Sequence, residues 1–496
     1  MSAAGEHTTD TGNCRRLVRQ FGDRFRYDGD RRCFFVYDGR RWVEDLLGKM
    51  ERFAKATALS IYEEAAACPE AELKRSLARW AAASESARAI AAMLKLAQSE
   101  PGVAIRATAF DSDPWLFNVE NGTLDLRAKA LRPHDAADLI TKLAPVAYDP
   151  TATCPQFLAF LDRVFSGDGG LIGFLQRYVG YSLTGLTREH VLALLYGVGR
   201  NGKSTLLELL ALLLGDYGAR AEFGTFLLKR HNEGPRNDLA ALVGSRLVIG
   251  SEAGEEARWD EARVKEITGG DTITCRRLYS ELFSYRPTFK VWLGTNNKPQ
   301  IRSTGEAIWS RLRLIPFDVV IPEAERDPEL LEKLAGELPG ILAWAVAGCA
   351  AWQRDGLGQP PAVRSATAAY RDESDLVGPF LDQECEQAAQ FSVPAGWLYK
   401  AFREWVERNG ETPISQQAFG KRLSEKGFQR VRSTGGRRMW HGLRLGVTLV
   451  TDQDPVFGKV PYEERVEEVT GSDPRKASPA SLDPDDEARA AQREGA

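Results

Sequence analysis

The chain has 496 residues with 65 Lys and Arg against 69 Asp and Glu, a formal charge of −4, and 43% hydrophobic content; at ~150 residues per domain, about three domains are expected. No apolar run approaches the ~20 residues needed to cross a bilayer and the first 30 residues lack a secretory pattern, so a cytoplasmic protein with no membrane partner is expected. The seven cysteines (14, 33, 68, 154, 275, 349, 385) include no C-x-x-C pair, which argues against a disulfide framework or a zinc ribbon and implies that any metal arrives with substrate.

Residues 13–45 mix short aromatic strands (Phe34, Phe35, Val36, Tyr37) with an Asp38-Gly39 turn, which predicts a β-hairpin. Two Ala-rich helical stretches, about 45–66 and 70–98, stop at Pro101-Gly102. Short strands return over 115–150, with turns at Asn121-Gly122 and Arg132-Pro133-His134. Residues 1–150 read as one mainly helical α+β domain.

Over 151–375 the pattern becomes strand, glycine loop, helix, strand, then helices, as in a three-layer α/β nucleotide domain. Apolar runs Val191–Tyr196, Leu247–Gly250, Phe289–Thr295 and Leu312–Phe317 are read as buried strands. The first runs into Gly197-Val198-Gly199-Arg200-Asn201-Gly202-Lys203-Ser204-Thr205, which fits the P-loop pattern G-x-x-x-x-G-K-[ST]. Glycines let successive N–H groups wrap a β-phosphate, Lys203 reaches the β- and γ-oxygens, and Ser204 ligates Mg²⁺. ATP and Mg²⁺ are therefore the expected cofactors.

A carboxylate on a neighbouring strand is needed to activate water. Arg246-Leu-Val-Ile-Gly-Ser251-Glu252 ends in one, so Glu252 is the expected base, with Glu255 and Glu256 as substitutes. Ser251 stands where many such NTPases carry Asp, which leaves the metal to Ser204, phosphates and waters. The third strand ends in Asn296-Asn297-Lys298-Pro299, where an Asn could meet the γ-phosphate or the lytic water, although such clusters are commonly turns. Arg311 and Arg313 precede the last strand, and either could be delivered by a neighbouring subunit to the transferring phosphoryl group or lie in a surface ion pair.

Residues 376–450 read as helices near 376–388, 395–408 and 415–426 followed by two strands around Gly435-Gly436, which together describe a winged helix. Residues 397–447 hold eleven Lys or Arg against four Glu, a net of +7, the footprint of a polyanion partner. In the third helix Phe419 and Leu423 share one face, leaving Gln416, Gln417, Lys421 and Arg422 outward, while Arg430, Arg432, Arg437 and Arg438 on the wing suit phosphates. A protein-binding winged helix is the rival reading. Residues 451–496, with twelve acids and six bases, read as an acidic, disordered tail.

In order and spacing these pieces resemble a superfamily 3 helicase, and more narrowly the phage and plasmid primase-helicase family shared with poxviruses. NDLAALVGSRLVIGSE (237–252) resembles its second nucleotide motif, VKEITGGDTITCRRLY (264–279) the stretch that follows, FKVWLGTNNKPQI its Asn motif and EAIWSRLRLIPF its Arg segment. FNVENGTLDL, TKLAPVAYDP and FLQRYVGYSLTG resemble the region before the motor, and ELPGILAWAVAG and AAYRDESD its helical end. Gly305 departs from the pattern, where an acid is expected before EAIW. The resemblance implies a multidomain α/β protein with an AAA+-like P-loop core, a homo-hexamer, Asn296 as sensor and Arg311 as the finger. It further implies a DNA helicase of a phage or plasmid in a bacterial host. No primase-type domain is expected ahead of residue 1, so a separate primase is an open partner.

In such a ring the segment 265–286, with Lys265, Arg276, Arg277, Tyr279 and Arg286, would reach single-stranded DNA in the channel, or else pack as a hairpin on its own domain. Two further readings of the whole chain stand beside the helicase: a small-molecule phosphotransferase with an in-chain Arg lid, and an origin-binding NTPase that separates no strands.

Overall fold

The computed structural model describes residues 7–228, 237–251, 254, 257–276, 282–301, 305–433 and 436–446. Among them the chain divides into two compact units, Met1–Leu376 and Val377–Ala496, and the fold is mixed α/β with a parallel sheet. The tail 451–496 lies outside the described residues.

Five parallel strands form the central sheet of the first unit, in the order Leu312–Pro316, Leu192–Tyr196, Lys290–Thr295, Leu247–Ser251, Gly218–Arg220. Side chains alternate between two cores, as the two-residue period of a strand requires. Ala193, Leu195, Leu247, Ile249, Trp292 and Ile315 enter one core, whereas Leu192, Leu194, Val248, Val291, Leu293, Leu312 and Leu314 enter the other. Burial on both faces is why these strands read as unbroken apolar runs.

The first core is closed by helices Pro155–Val164, Gly169–Ser182, Lys203–Leu214 and Leu338–Asp355. Lys203–Leu214 buries Leu206, Leu207, Leu209, Leu210, Leu213 and Leu214, and truncating any one to Ala would cost about 2–5 kcal/mol. Gly169–Ser182 and Leu338–Asp355 cross with Gly180 against the backbone of Gly348 and Cys349, closer than any Cβ would permit. Helix Glu261–Gly269, capped by Asp260, and Tyr370 of helix Pro361–Glu373 contribute to the second core.

Two buried cations tie the base of the sheet to the segment before it. Arg246 donates to the Leu183 and Leu116 carbonyls at 2.5 and 2.7 Å, and Lys290 donates to Thr184. Burial holds the Lys290 ammonium well below its ordinary range.

Ahead of this sheet, the expected hairpin forms with Phe35 opposite Glu44 and Tyr37 opposite Trp42. The Asp38 carboxylate accepts from the Arg40 and Arg41 N–H groups in its turn. The stretch expected as one helix over 70–98 is two, Ala71–Ser84 and Ala87–Ala97, because Ser86 caps the second through the Ala89 N–H. Strands Leu116–Val119, Gly122–Asp125 and Ala130–Arg132 form a separate antiparallel sheet.

The second unit contains helices Val377–Glu384, Ala395–Arg408 and Gln416–Glu425 and an antiparallel sheet of Cys385–Pro394, Arg438–Leu445 and Gln429–Arg432. Its core is aromatic: Phe402 stacks on Phe419 at 4.4 Å, with Phe380 edge-on to both. Strand Cys385–Pro394 stands partly where a longer first helix, to 388, is expected. No single helix among the described residues is long and apolar enough to cross a membrane.

Candidate functional site

Strand Leu192–Tyr196, second in the sheet, leads into the glycine-rich loop, and helix Lys203–Leu214 leaves it. Gly199, Arg200 and Gly202 all have positive φ (101°, 53° and 84°), so the backbone folds back on itself instead of extending the strand. At Gly202 a Cβ would also stand 2.8 Å from Val164 and 2.9 Å from Phe160. At Gly197 it would collide with the Asn201 amide nitrogen and the Phe317 carbonyl oxygen. The first N–H groups of the helix, unpaired within it, give the loop a partial positive charge.

Lys203 is 6% exposed. Its ammonium donates to the Gly197 carbonyl (2.6 Å), Asn201 Oδ1 (3.0 Å) and Asn296 Oδ1 (3.1 Å), and burial lowers its pKa. An ammonium only donates, so it turns the oxygens of both amides toward itself. The Nδ2 of Asn201 then donates to the Phe317 carbonyl at 2.9 Å, while Asn296 meets the ammonium through Oδ1. Asn296 follows strand Lys290–Thr295, whose Thr295 pairs with Tyr196, the residue before Gly197. Beyond it, Lys298 lies 4.6 Å above the Tyr196 ring and forms a 2.7 Å ion pair with Glu373.

Strand Leu247–Ser251 ends at the same edge, with Ser251 opposite Gly294. Glu252, Glu255 and Glu256 lie outside the described residues, as do Arg277 and Tyr279. Val198, Arg200 and Ser204 are exposed around the loop, and Thr205 is half-buried. Ser204 offers a single hydroxyl at the helix start, which suits a Mg²⁺ that takes its remaining oxygens from phosphates and water. No cluster of three His, Cys, Asp or Glu suited to a metal occurs among the described residues.

Arg311 sits at the opposite edge. Its carbonyl accepts the Leu192 N–H at the start of strand Leu192–Tyr196, five residues and about 16 Å below the loop. Its guanidinium donates to Thr268 Oγ1 (3.1 Å) and the Ala307 carbonyl (2.7 Å). Arg313 is turned inward near Tyr178, bonds the Ser310 and Leu312 carbonyls, and has its pKa lowered by burial. Gly305 precedes helix Glu306–Trp309 without supplying a side-chain cap.

The segment after helix Glu261–Gly269 is a hairpin of Ile273–Arg276 and Leu282–Tyr285. Ile273 and Cys275 face the core, and Tyr285 bonds the Leu239 carbonyl. Arg276 and Arg286 are exposed and Lys265 is half-buried.

In the second unit Phe419 and Leu423 are buried as their spacing predicts, and Lys421, Arg430, Arg432, Arg437 and Arg438 are exposed. Arg422, expected outward, is only 4% exposed. It stands three residues after Phe419 and one before Leu423, and so falls on their stripe. Arg432 and Arg438 pair directly across strands Gln429–Arg432 and Arg438–Leu445, an arrangement of like charges that costs stability.

Sequence reasoning missed three parts of this geometry: the bond of the Asn201 amide to Phe317, the Lys298–Glu373 pair, and the edge strand Gly218–Arg220. The only signal for the first was an amide within reach of the loop lysine; the others left none.

Two separate stretches of the chain are similar to D5 families. Residues 14–166 match the family described as D5 N terminal like, and residues 372–437 the family described as poxvirus D5 protein-like. Residues 195–311, which span the loop, match a family of unknown function, DUF5906. The resemblance to the superfamily 3 primase-helicases carried by the motifs is thereby shown.

Among individual relatives, the chain is 29% identical over 325 residues to "Putative helicase L207/L206" of Acanthamoeba polyphaga mimivirus, covering 60% of this chain and 34% of that one. It is 27% identical over 308 residues to "Putative helicase 022R" of Frog virus 3, covering 58% and 30%. The chain thus spans about a third of the length of these curated relatives. In fold it is similar to the apo C terminal region of NrS-1, with a TM-score of 0.50 at 11% identity, covering 86% of this chain and 98% of that one.

Proposed function

We propose that the chain is an ATP-dependent DNA helicase of superfamily 3 acting in DNA replication, with a P-loop at 197–204 and a winged helix at its C-terminal end. The observation that carries this reading is the enclosure of Lys203 by the Gly197 carbonyl, Asn201 and Asn296 at the exit edge of a parallel sheet, the edge at which such sheets bind ligands. A triphosphate laid on the loop would receive its N–H groups, the helix dipole and the Lys203 ammonium. Bound Mg²⁺, held by Ser204 and the phosphates, would supply further positive charge at the transferring group.

Water adds to the γ-phosphorus as the bond to the β,γ-bridging oxygen breaks. Glu252 takes the proton of that water, ADP leaves, and Asn296 Nδ2 holds the water or a γ-oxygen. Arg311 lies at the far edge of its own sheet, which supports its acting on the loop of the next subunit in a ring, the hexamer of the resemblance. The same placement disfavours the phosphotransferase reading, which needs an in-chain Arg lid.

DNA is the proposed partner: in single-stranded form at Lys265, Arg276, Arg277 and Tyr279, and in duplex form at Lys421, Arg437 and Arg438. The relatives' names, together with the exposed wing arginines, support this reading. ATPase rate with and without single-stranded DNA, measured beside native mass, tests it. A monomer indifferent to DNA would favour the phosphotransferase. Tight site-specific binding without strand separation would favour an origin-binding NTPase.

A further inference from the structure

Within the loop, one side chain does something the phosphate-binding pattern does not require. Asn201 is 2% exposed, and both ends of its amide are engaged: Oδ1 with the Lys203 ammonium at 3.0 Å and Nδ2 with the Phe317 carbonyl at 2.9 Å. Phe317 follows strand Leu312–Pro316, whose Pro316 pairs with Tyr196, and its own N–H donates to the Tyr196 carbonyl at 2.8 Å, so the anchoring carbonyl is tied to the sheet by a backbone bond. A second bond, from the Ile321 N–H to the Arg200 carbonyl at 3.0 Å, holds the loop to the same segment. Gly197 is packed between the two partners so tightly that a Cβ would strike the Asn201 amide and the Phe317 oxygen.

We propose that Asn201 is a positioning residue, bracing Lys203 against the Phe317 carbonyl just past strand Leu312–Pro316 so that the ammonium is already aligned when a triphosphate arrives. This deepens the reading of the loop as an ATP site and rests on it. The physical argument is preorganisation. A flexible four-carbon side chain loses rotamer entropy on alignment, and a fixed acceptor on a sheet-anchored amide moves that cost from the catalytic step to folding. Backbone N–H groups still wrap the phosphates without Asn201, so ground-state binding depends on it less than turnover does.

Steady-state ATPase and nucleotide affinity of wild type, Asn201→Ala and Asn201→Asp test this. Asn201→Ala is expected to lower kcat about tenfold or more while nucleotide Kd moves less than about threefold, the signature of a lost transition-state interaction. Asn201→Asp keeps the side-chain volume and the acceptor for Lys203, but it pairs that ammonium with a carboxylate and sets an anion beside the phosphates. Its triphosphate Kd is expected to rise about tenfold or more. Should Asn201→Ala fail to fold, the near-isosteric Asp variant, which loses the Nδ2 donor to Phe317, decides alone, and a wild-type kcat in it would overturn the proposal. A folded Asn201→Ala with wild-type kcat would also overturn it, as would equal losses of kcat and affinity in both variants. An inactive wild type would instead remove the ATPase reading itself.

Discussion

Arg311 offers the sharpest test of subunit cooperation, because within one chain it cannot serve the loop it is proposed to serve. Strand Leu192–Tyr196 separates them by about 16 Å along its length, and the guanidinium is held at the far edge by Thr268 and Ala307. Replacing Arg311 with Ala removes two hydrogen bonds from a half-buried side chain, a cost to folding of about 1–3 kcal/mol, so the variant is expected to stay folded. Alone, Arg311→Ala and Lys203→Ala should each be inactive in hydrolysis. Mixed one to one with free exchange of subunits, an interface regains activity when an intact Lys203 meets an intact Arg311. That is one interface in four for random assembly, so about a quarter of the wild-type rate should return whatever the ring size. The assay is phosphate release from the mixture, with subunit exchange followed by native mass spectrometry. If exchange is complete and no activity returns, Arg311 acts within its own chain and the interfacial account fails.

The wing and the loop allow further predictions. If Lys421, Arg430, Arg437 and Arg438, all exposed, each meet a phosphate, changing the four to Ala should flatten the log K against log salt slope on duplex DNA by roughly 3–4 units; an unchanged slope would assign the patch to a protein partner or to solvent. Arg422→Ala should act differently, lowering the stability of the second unit by about 1–3 kcal/mol in thermal or denaturant unfolding and leaving the salt slope alone, since its side chain is interior; a changed slope with unchanged stability would contradict its burial. Gly197→Ala should displace Asn201 or Phe317 and cost about 1–3 kcal/mol, with ATPase lost along with stability. Wild-type melting and turnover in that variant would show that the loop is looser than its packing indicates.

The central strands were legible because burial on both faces writes them as apolar runs bounded by glycine. The helix after the loop was legible because its leucines and Gly215 mark its length. The edge strand Gly218–Arg220 was not: three residues of mixed character carry no periodicity and owe their extension to pairing with Leu247–Ile249. Strand Cys385–Pro394 was read partly as helix because its sequence, CEQAAQFSVP, is polar and Ala-containing, and its pairing is interrupted by an irregularity between Gln387 and Ser392. The split at Ser86 was missed because an Ala-rich flank reads as helix on either side of a cap. At the site, the residue types were visible, but Asn201's second bond depends on a carbonyl 116 positions away, which local spacing does not encode. Arg422 was misplaced by treating its charge as decisive where its helical position, between Phe419 and Leu423, decides.

The central claim is that a triphosphate hydrolysed on the Lys203 loop drives movement on DNA. Its most direct measurement is ATPase turnover of the wild type and Lys203→Ala, each with and without single-stranded DNA, with circular dichroism confirming that both are folded. The account predicts wild-type turnover that rises with DNA, and a folded Lys203→Ala protein with turnover lost under both conditions. Undiminished hydrolysis by folded Lys203→Ala would contradict it, because among the described residues no other cation bonds Gly197, Asn201 and Asn296 together.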